Sequence, residues 1–235
     1  MNTYSLFNST KQSALHSIGV SFLIVTILAA TFFAIEPKIG HGDETTNFRI
    51  RQTITGETSF LVDPSNVTMN GSISGITGGN ATGTTRFVVQ SNNAAGYYVE
   101  ISFFNNLGAH AMLGDRSSSE ALRVYSGDIA GEPSFNLPAS TAAQFAFALY
   151  SSTTADTDQS FRNNGAACNT GATQTIGKCW KSPGVAPFRI VDRSTSAING
   201  ATSTIYFRVN VPSGARPVPT AETYTATATL SVFAK

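Results

Sequence analysis

Residues 224–232 read Tyr-Thr-Ala-Thr-Ala-Thr-Leu-Ser-Val. Tyr224, Ala226, Ala228, Leu230 and Val232 fall on one side of an extended chain, with Thr225, Thr227, Thr229 and Ser231 on the other. A strict period of two specifies a strand covered on one face and is incompatible with the 3.6-residue period of a helix. The same pattern recurs upstream. Ile205, Phe207, Val209 and Val211 share a side within 204–211, and Phe145, Phe147 and Leu149 do so after Gln144. Strands over 84–91 and 97–104 flank a hairpin sequence, Asn92-Asn93-Ala94-Ala95-Gly96. Shorter strands are expected at 59–62, 122–126 and 188–192, with a weak one at 67–70. Phe48, Ile50, Gln52 and Ile54 alternate with Arg49, Arg51, Thr53 and Thr55, which predicts a first strand there. Residues 71–83 are glycine-rich and read as a connection, 105–120 lack a clear period, and 151–184 are irregular. No amphipathic helix stands after residue 45. The expectation is an all-β fold: an antiparallel immunoglobulin-like β-sandwich of about eight or nine strands, preceded by one N-terminal hydrophobic helix.

That helix is expected from residues 18–35, IGVSFLIVTILAATFFAI, an uncharged run. At about 1.5 Å per residue it covers roughly 27 Å, close to the ~30 Å of a bilayer core. Lys11 and the amino terminus precede it, and Glu36, Lys38, Asp43 and Glu44 follow. This bias favours an N-terminus held inside and a C-terminal domain passed outward. An uncleaved anchor and a cleaved signal peptide both fit the run. Leu28 and Phe32 spoil the small-residue rule for cuts after Ala30 and Ala34, while Gly40-His41-Gly42 fits it further on. A prepilin leader fits less well, because Ile18 and Ile24 stand where a basic residue and a glutamate belong. The domains expected are 1–17 as a short inside segment, 18–35 as anchor or signal core, 36–47 as linker and 48–235 as the extracytoplasmic β-domain.

Charged residues are only 12% of the chain and the formal net charge is +1, which argues against a nucleic-acid surface. The sequence asks for no cofactor. Cys168 and Cys179 enclose CNTGATQTIGKC, a Gly- and Thr-rich loop that can close as a disulfide in an oxidising compartment. In the chain-entropy model such a loop contributes roughly 2–3 kcal/mol. A zinc site lacks the further Cys or His ligands it needs.

Candidate chemistry is sparse. Of three histidines, only His110 lies within the β-domain, and no G-x-S-x-G elbow accompanies it. Asp156 and Asp158, with Asn163 and Asn164, resemble the opening of a calcium loop. Phe161 occupies the position of the turn glycine, however, and the closing glutamate is absent. Trp180, with Tyr97, Tyr98, Tyr125 and Tyr150, is a candidate platform for stacking on a sugar, core packing being the alternative role.

Three stretches together carry a resemblance. FRIRQTITGETSFLV with ISGITGGNATGTTRFVVQSNNAAGYYVEI, the cysteine loop from Phe161 to Trp180, and PVPTAETYTATATLSV resemble uncharacterised exported β-sandwich proteins of reduced-genome candidate-phyla bacteria. The closing strand is also similar to that of spore-coat-U-like and pilin-like secreted domains, with Glu222 where a glycine is frequent. The resemblance implies location and fold and no reaction. The function expected is that of a non-enzymatic cell-envelope or surface protein with a structural or adhesive role. A pilin-like filament subunit and a secreted carbohydrate-binding domain are the alternatives. The expected partners are the bilayer through 18–35, and surface proteins, glycans or copies of the same chain, with no nucleic acid.

Overall fold

The threonine-alternating stretch at the end of the chain forms β11 (Thr227–Ala234), which lies antiparallel to β4 (Tyr97–Phe104) in register from Thr227↔Phe104 to Ala234↔Tyr97. On its other side β4 pairs with β8 (Phe188–Arg193), completing a three-stranded sheet. The computed structural model describes residues 19–31, 49–104, 110–117, 119–127 and 131–235.

The larger sheet holds eight strands. Its spine is β3 (Gly78–Ser91) against β9 (Ala197–Val211), paired antiparallel from Gly79↔Val211 to Ser91↔Ala197. β1 (Thr58–Val62) and the two-residue β2 (Ile73–Ser74) pair with β3, while β7 (Gln144–Ser151) lies on the far side of β9. Beyond β7 follow β6 (Ala121–Val124), β5 (His110–Gly114) and β10 (Tyr224–Thr225).

The two sheets face each other across a core built from the apolar sides predicted for their strands. Phe103 of β4 meets Phe145 and Phe147 of β7 at ring separations of 6.1 and 5.2 Å, and Phe145 stacks on Phe207 at 5.9 Å. Phe87, Val99, Ile190 and Ile205 are fully enclosed in the same cluster. Residues 53–235 constitute one compact unit.

The all-β expectation stands, with corrections in detail. There are eleven strands among the described residues, and β6 runs parallel to β7, so the arrangement is mixed rather than purely antiparallel. The glycine-rich stretch 71–83 is not merely a connection. β2 lies within it, and β3 begins at Gly78. Glycine suits this stretch because the chain crosses it closely: a Cβ on Gly83 would collide with Val67. The aperiodic region 105–120 contributes β5, whose pairing with β6 no local pattern announces. β7 is covered on both faces rather than one. The strand expected at 48–55 does not form over its described part. Residues 49–57 are in no strand, and Ile50 and Ile54 are 86% and 82% exposed. Alternation specifies that a segment suits a sheet; it does not supply an edge to pair with.

Residues 19–31 form an α-helix, α1, about 20 Å long. Its two threonine hydroxyls bond back within the helix. Thr26 Oγ1 donates to the carbonyl of Phe22 (2.6 Å) and Thr31 Oγ1 to that of Ile27 (3.0 Å). Among the described residues no helix is long and apolar enough to cross a membrane. Residue 18, residues 32–35 and the expectations for 1–17 and 36–47 lie outside the described residues.

At one end of the smaller sheet, Asp192 receives Lys235 Nζ and Arg189 Nη1, the latter at 3.1 Å. Partial burial by itself would raise the Asp192 pKa, but the hydrogen bonds from Lys235 and Arg189 outweigh it and hold the carboxyl below its ordinary value. Its contribution to stability is therefore complete above the unfolded carboxylate pKa and is lost as pH falls through the lower folded value. Asp192→Asn should reduce the change in thermal midpoint below about pH 4, measured by calorimetry across a pH series. In the core, Phe147→Ala should cost about 3–5 kcal/mol in urea unfolding with the disulfide intact. The same truncation at Phe104, 62% exposed on the smaller sheet, should stay within about 0.5 kcal/mol.

Candidate functional site

Between β7 and β8 the chain takes a long irregular excursion that contains both cysteines, and it is fastened at every stage. Two single-turn 3-10 helices open it, Thr154–Asp156 and Gln159–Phe161. The Asp156 carboxylate engages the Arg193 guanidinium at the end of β8. Tyr97 lies beside this pair, 1% exposed, and its phenol is pushed up to about 12 by burial and by the Asp156 charge, against the opposing pull of Arg193. Asp158 caps the second turn, accepting from the Ser160 amide (3.0 Å) and the Ser160 hydroxyl (2.6 Å). That turn drives Phe161 into the core, between Phe147 (6.0 Å) and Phe188 (5.8 Å).

Asn163 is the hub of the excursion. It is fully enclosed, and its amide donates to the carbonyl of Thr173 at 2.9 Å. Its Oδ1 accepts from the Gly165 amide (3.1 Å) and from Thr175 Oγ1 (3.2 Å). Asn164 Oδ1 accepts from the amides of Ala166 and Ala167, both at 3.0 Å. Around this hub Cys168 and Cys179 are joined in a disulfide with their Cα atoms 5.7 Å apart, a separation usual for such bonds. Cys179 is fully buried.

The disulfide holds the chain as it returns to the sheet. Lys181 exchanges two backbone hydrogen bonds with Phe147 of β7, at 2.8 and 3.1 Å. Trp180 consequently lies with Tyr125 over Ala146 and Ala148, in a second small core apart from the main one. Its indole N–H donates to the Gly177 carbonyl at 3.0 Å.

These positions reassign the residues singled out in the sequence. Asp156 and Asp158 are committed to Arg193 and Ser160, and Asn163 and Asn164 to loop backbone. Among the described residues no group of three or more His, Cys, Asp or Glu side chains gathers to hold a metal. Trp180 is 4% exposed, so its ring is a core element and offers no open face to a sugar. Tyr97 and Tyr125 are each 1% exposed and buried likewise. Tyr98 lies on the outer face of the smaller sheet, stacked on Phe233 at 5.0 Å with the Arg189 guanidinium 4.2 Å from its ring centre. His110 opens β5, opposite Arg123 in register.

What sequence reasoning missed is the open ground between the sheets. A cavity of about 480 Å³ is bounded by residues 64–69, by the floor of the larger sheet and by Ala226, Ala228 and Leu230. A neighbouring one of about 610 Å³ continues past Met69, Met112 and Tyr224 toward residues 218–222. Glu222 lines the second of these cavities. Glu222 Oε2 accepts from the amides of Arg116 (2.7 Å) and Ser117 (3.2 Å), locking the closing turn to the loop after β5. A side chain on Gly114 would sit 2.6 Å from that carboxylate. Burial raises the Tyr224 phenol, helped by the charges of Glu120 and Glu222.

No protein-family model matches the chain, and no curated protein is significantly similar to it.

Trp180→Ala should lower stability by about 3–5 kcal/mol, as expected for truncating an enclosed aromatic. Asn163→Ala should cost about 1–3 kcal/mol, because the enclosed side chain is lost and the Gly165 amide and Thr175 hydroxyl lose their acceptor. Urea unfolding monitored in the far ultraviolet reads both.

Proposed function

We propose that this chain is a non-enzymatic protein of the cell envelope, an exported or membrane-tethered β-domain with a structural or adhesive role. The observation that carries the reading is the Cys168–Cys179 disulfide, built into the packing of the domain with Cys179 fully buried. A bond of this kind persists outside the reducing cytoplasm. The apolar run 18–35 supplies the means of export, as a retained anchor or as a signal core, with the β-domain on the outer side. The resemblance of the cysteine loop and closing strand to exported β-sandwich proteins agrees with this location. We read the two facing sheets as a variant of the immunoglobulin-like sandwich, modified by the parallel β6–β7 pair.

The absence of chemistry is part of the proposal. It is supported by where the candidate residues go: the acids of the 156–158 turn hold the loop, and the tryptophan holds the back of β7. Such a domain works through its surfaces and sheet edges.

Thiol labelling of intact cells tests the location. Cys168 and Cys179 should be unreactive toward a membrane-permeant maleimide until a reductant is added, and protease added outside should cleave the domain. Both cysteines labelled without reductant, in protein recovered from the cytosol, would overturn the reading.

A further inference from the structure

The inner face of β9 is the floor of a trough. Ile205 and Phe207 line the 480 Å³ cavity, and Val209 and Val211 line the 610 Å³ one. Met69, Met112 and Tyr224 border both, so the two spaces join along the strand. From Ile205 to Val211 there are six residue rises, about 20 Å of extended chain. Protein interiors leave few voids larger than a water molecule, and a concave apolar space of this size is the usual form of a ligand site.

The two walls of the trough are fastened separately. On one side the Ser65 amide donates to Thr85 Oγ1 at 2.9 Å, and its carbonyl accepts from the same hydroxyl at 3.0 Å. Asn70 pairs with Thr82 through two backbone bonds of 2.7 and 2.8 Å, and the missing side chain of Gly83 lets Val67 and Met69 lie against β3. On the other side β10 pairs with β5, Tyr224 donates to the Thr220 carbonyl at 2.9 Å, and Glu222 grips the loop after β5. Ala228 is exposed and Leu230 half-buried beside the first cavity, which gives the trough a mouth along β11.

The lining selects a class of ligand. Aliphatic and aromatic groups dominate it, and the two methionines at the join adapt to the shape of a flexible apolar chain. Among the described residues no lysine, arginine or histidine lines either cavity, and Glu222 is the one charged side chain that does. Its Oε2 is taken up by two loop amides, whereas Oε1 is enclosed with no hydrogen-bond partner among the described residues. Glu120 adds a second negative charge near Tyr224. A carboxylate or phosphate head would meet repulsion here, while a donating head would find an unused acceptor. We infer that the trough binds a single unbranched alkyl chain whose head donates a hydrogen bond and carries no negative charge, the chemistry of long-chain alcohols and amines. The inference concerns a ligand and goes beyond the proposed location, on which it does not rest.

Photo-crosslinking of the full-length protein, held in amphipol without free detergent, tests it. Hexadecanol and hexadecylamine, each carrying a diazirine on the chain, should label Met69, Met112 or Leu230, as read by mass spectrometry of peptides. Labelling should saturate at one molecule per protein and be competed by the unlabelled compound. Dodecanol, which buries fewer methylenes, and palmitate, which brings a negative head, should each compete at least about tenfold less well than hexadecanol. The handicap of palmitate should shrink in Glu222→Gln while that of dodecanol remains. Direct competition between the alcohol and the amine tells a neutral head from a cationic one. Ala228→Phe, at the mouth, should reduce labelling at least about tenfold with far-ultraviolet circular dichroism unchanged; if it perturbs the fold, Leu230→Phe takes its place. Labels confined to residues 19–31, palmitate competing as well as hexadecanol, or labelling that the mouth variant leaves intact overturns the inference. So does a chain that sediments as a dimer with its trough unlabelled, which gives the space to a second copy.

Discussion

The structure depends on the packing of β7 from both sides. Phe145 and Phe147 project from one face into the space between the sheets, where Phe103 meets them. Ala146 and Ala148 leave the other face low enough for Trp180 and Tyr125 to lie on it. A strand in the middle of a sheet can be enclosed in this way only if something outside the sheet covers it, and here the covering is an irregular loop. The small side chains of β7 and the large one at Trp180 are complementary parts of one contact.

That requirement explains the shape of the excursion between β7 and β8. A loop left to itself would carry unsatisfied backbone groups into any surface it covered. This one meets them with Asn163, Asn164, Asp158 and the two hydrogen bonds between Lys181 and Phe147. The disulfide shortens the free chain just before Trp180 reaches the sheet. The Asp156–Arg193 pair and the buried Tyr97 tie the start of the loop to the opposite sheet. The polar residues that resembled a binding site are the loop's means of staying in place.

The sequence disclosed the strands whose apolar groups alternate, because burial of one face leaves a period of two that can be read directly. β4, β9 and β11 are of this kind. It did not disclose β5 or β2, which owe their pairing to neighbours distant in the chain. Nor did it disclose the second covered face of β7, since alanine is equally at home exposed or enclosed. Asn163 and Trp180 show the same limit at the candidate site. Residue type alone leaves an asparagine equally suited to a cation or a peptide N–H, and a tryptophan to a sugar or an alanine pair. Only the fold decides between them. Residues 49–55 show the converse, a strand pattern that forms no strand.

The ring closed by Cys168 and Cys179 shows Asn169, Gly171, Ala172, Thr175 and Ile176 to solvent, yet several of its members are anchors. Thr173 and Thr175 bond to Asn163, and Gln174 reaches Ser151 and Thr157. A Cβ on Gly171 would press on the Asn163 carbonyl. Exposure in this arc is therefore no measure of freedom: an insertion between the cysteines would draw these bonds apart and, through them, unseat the cover of β7.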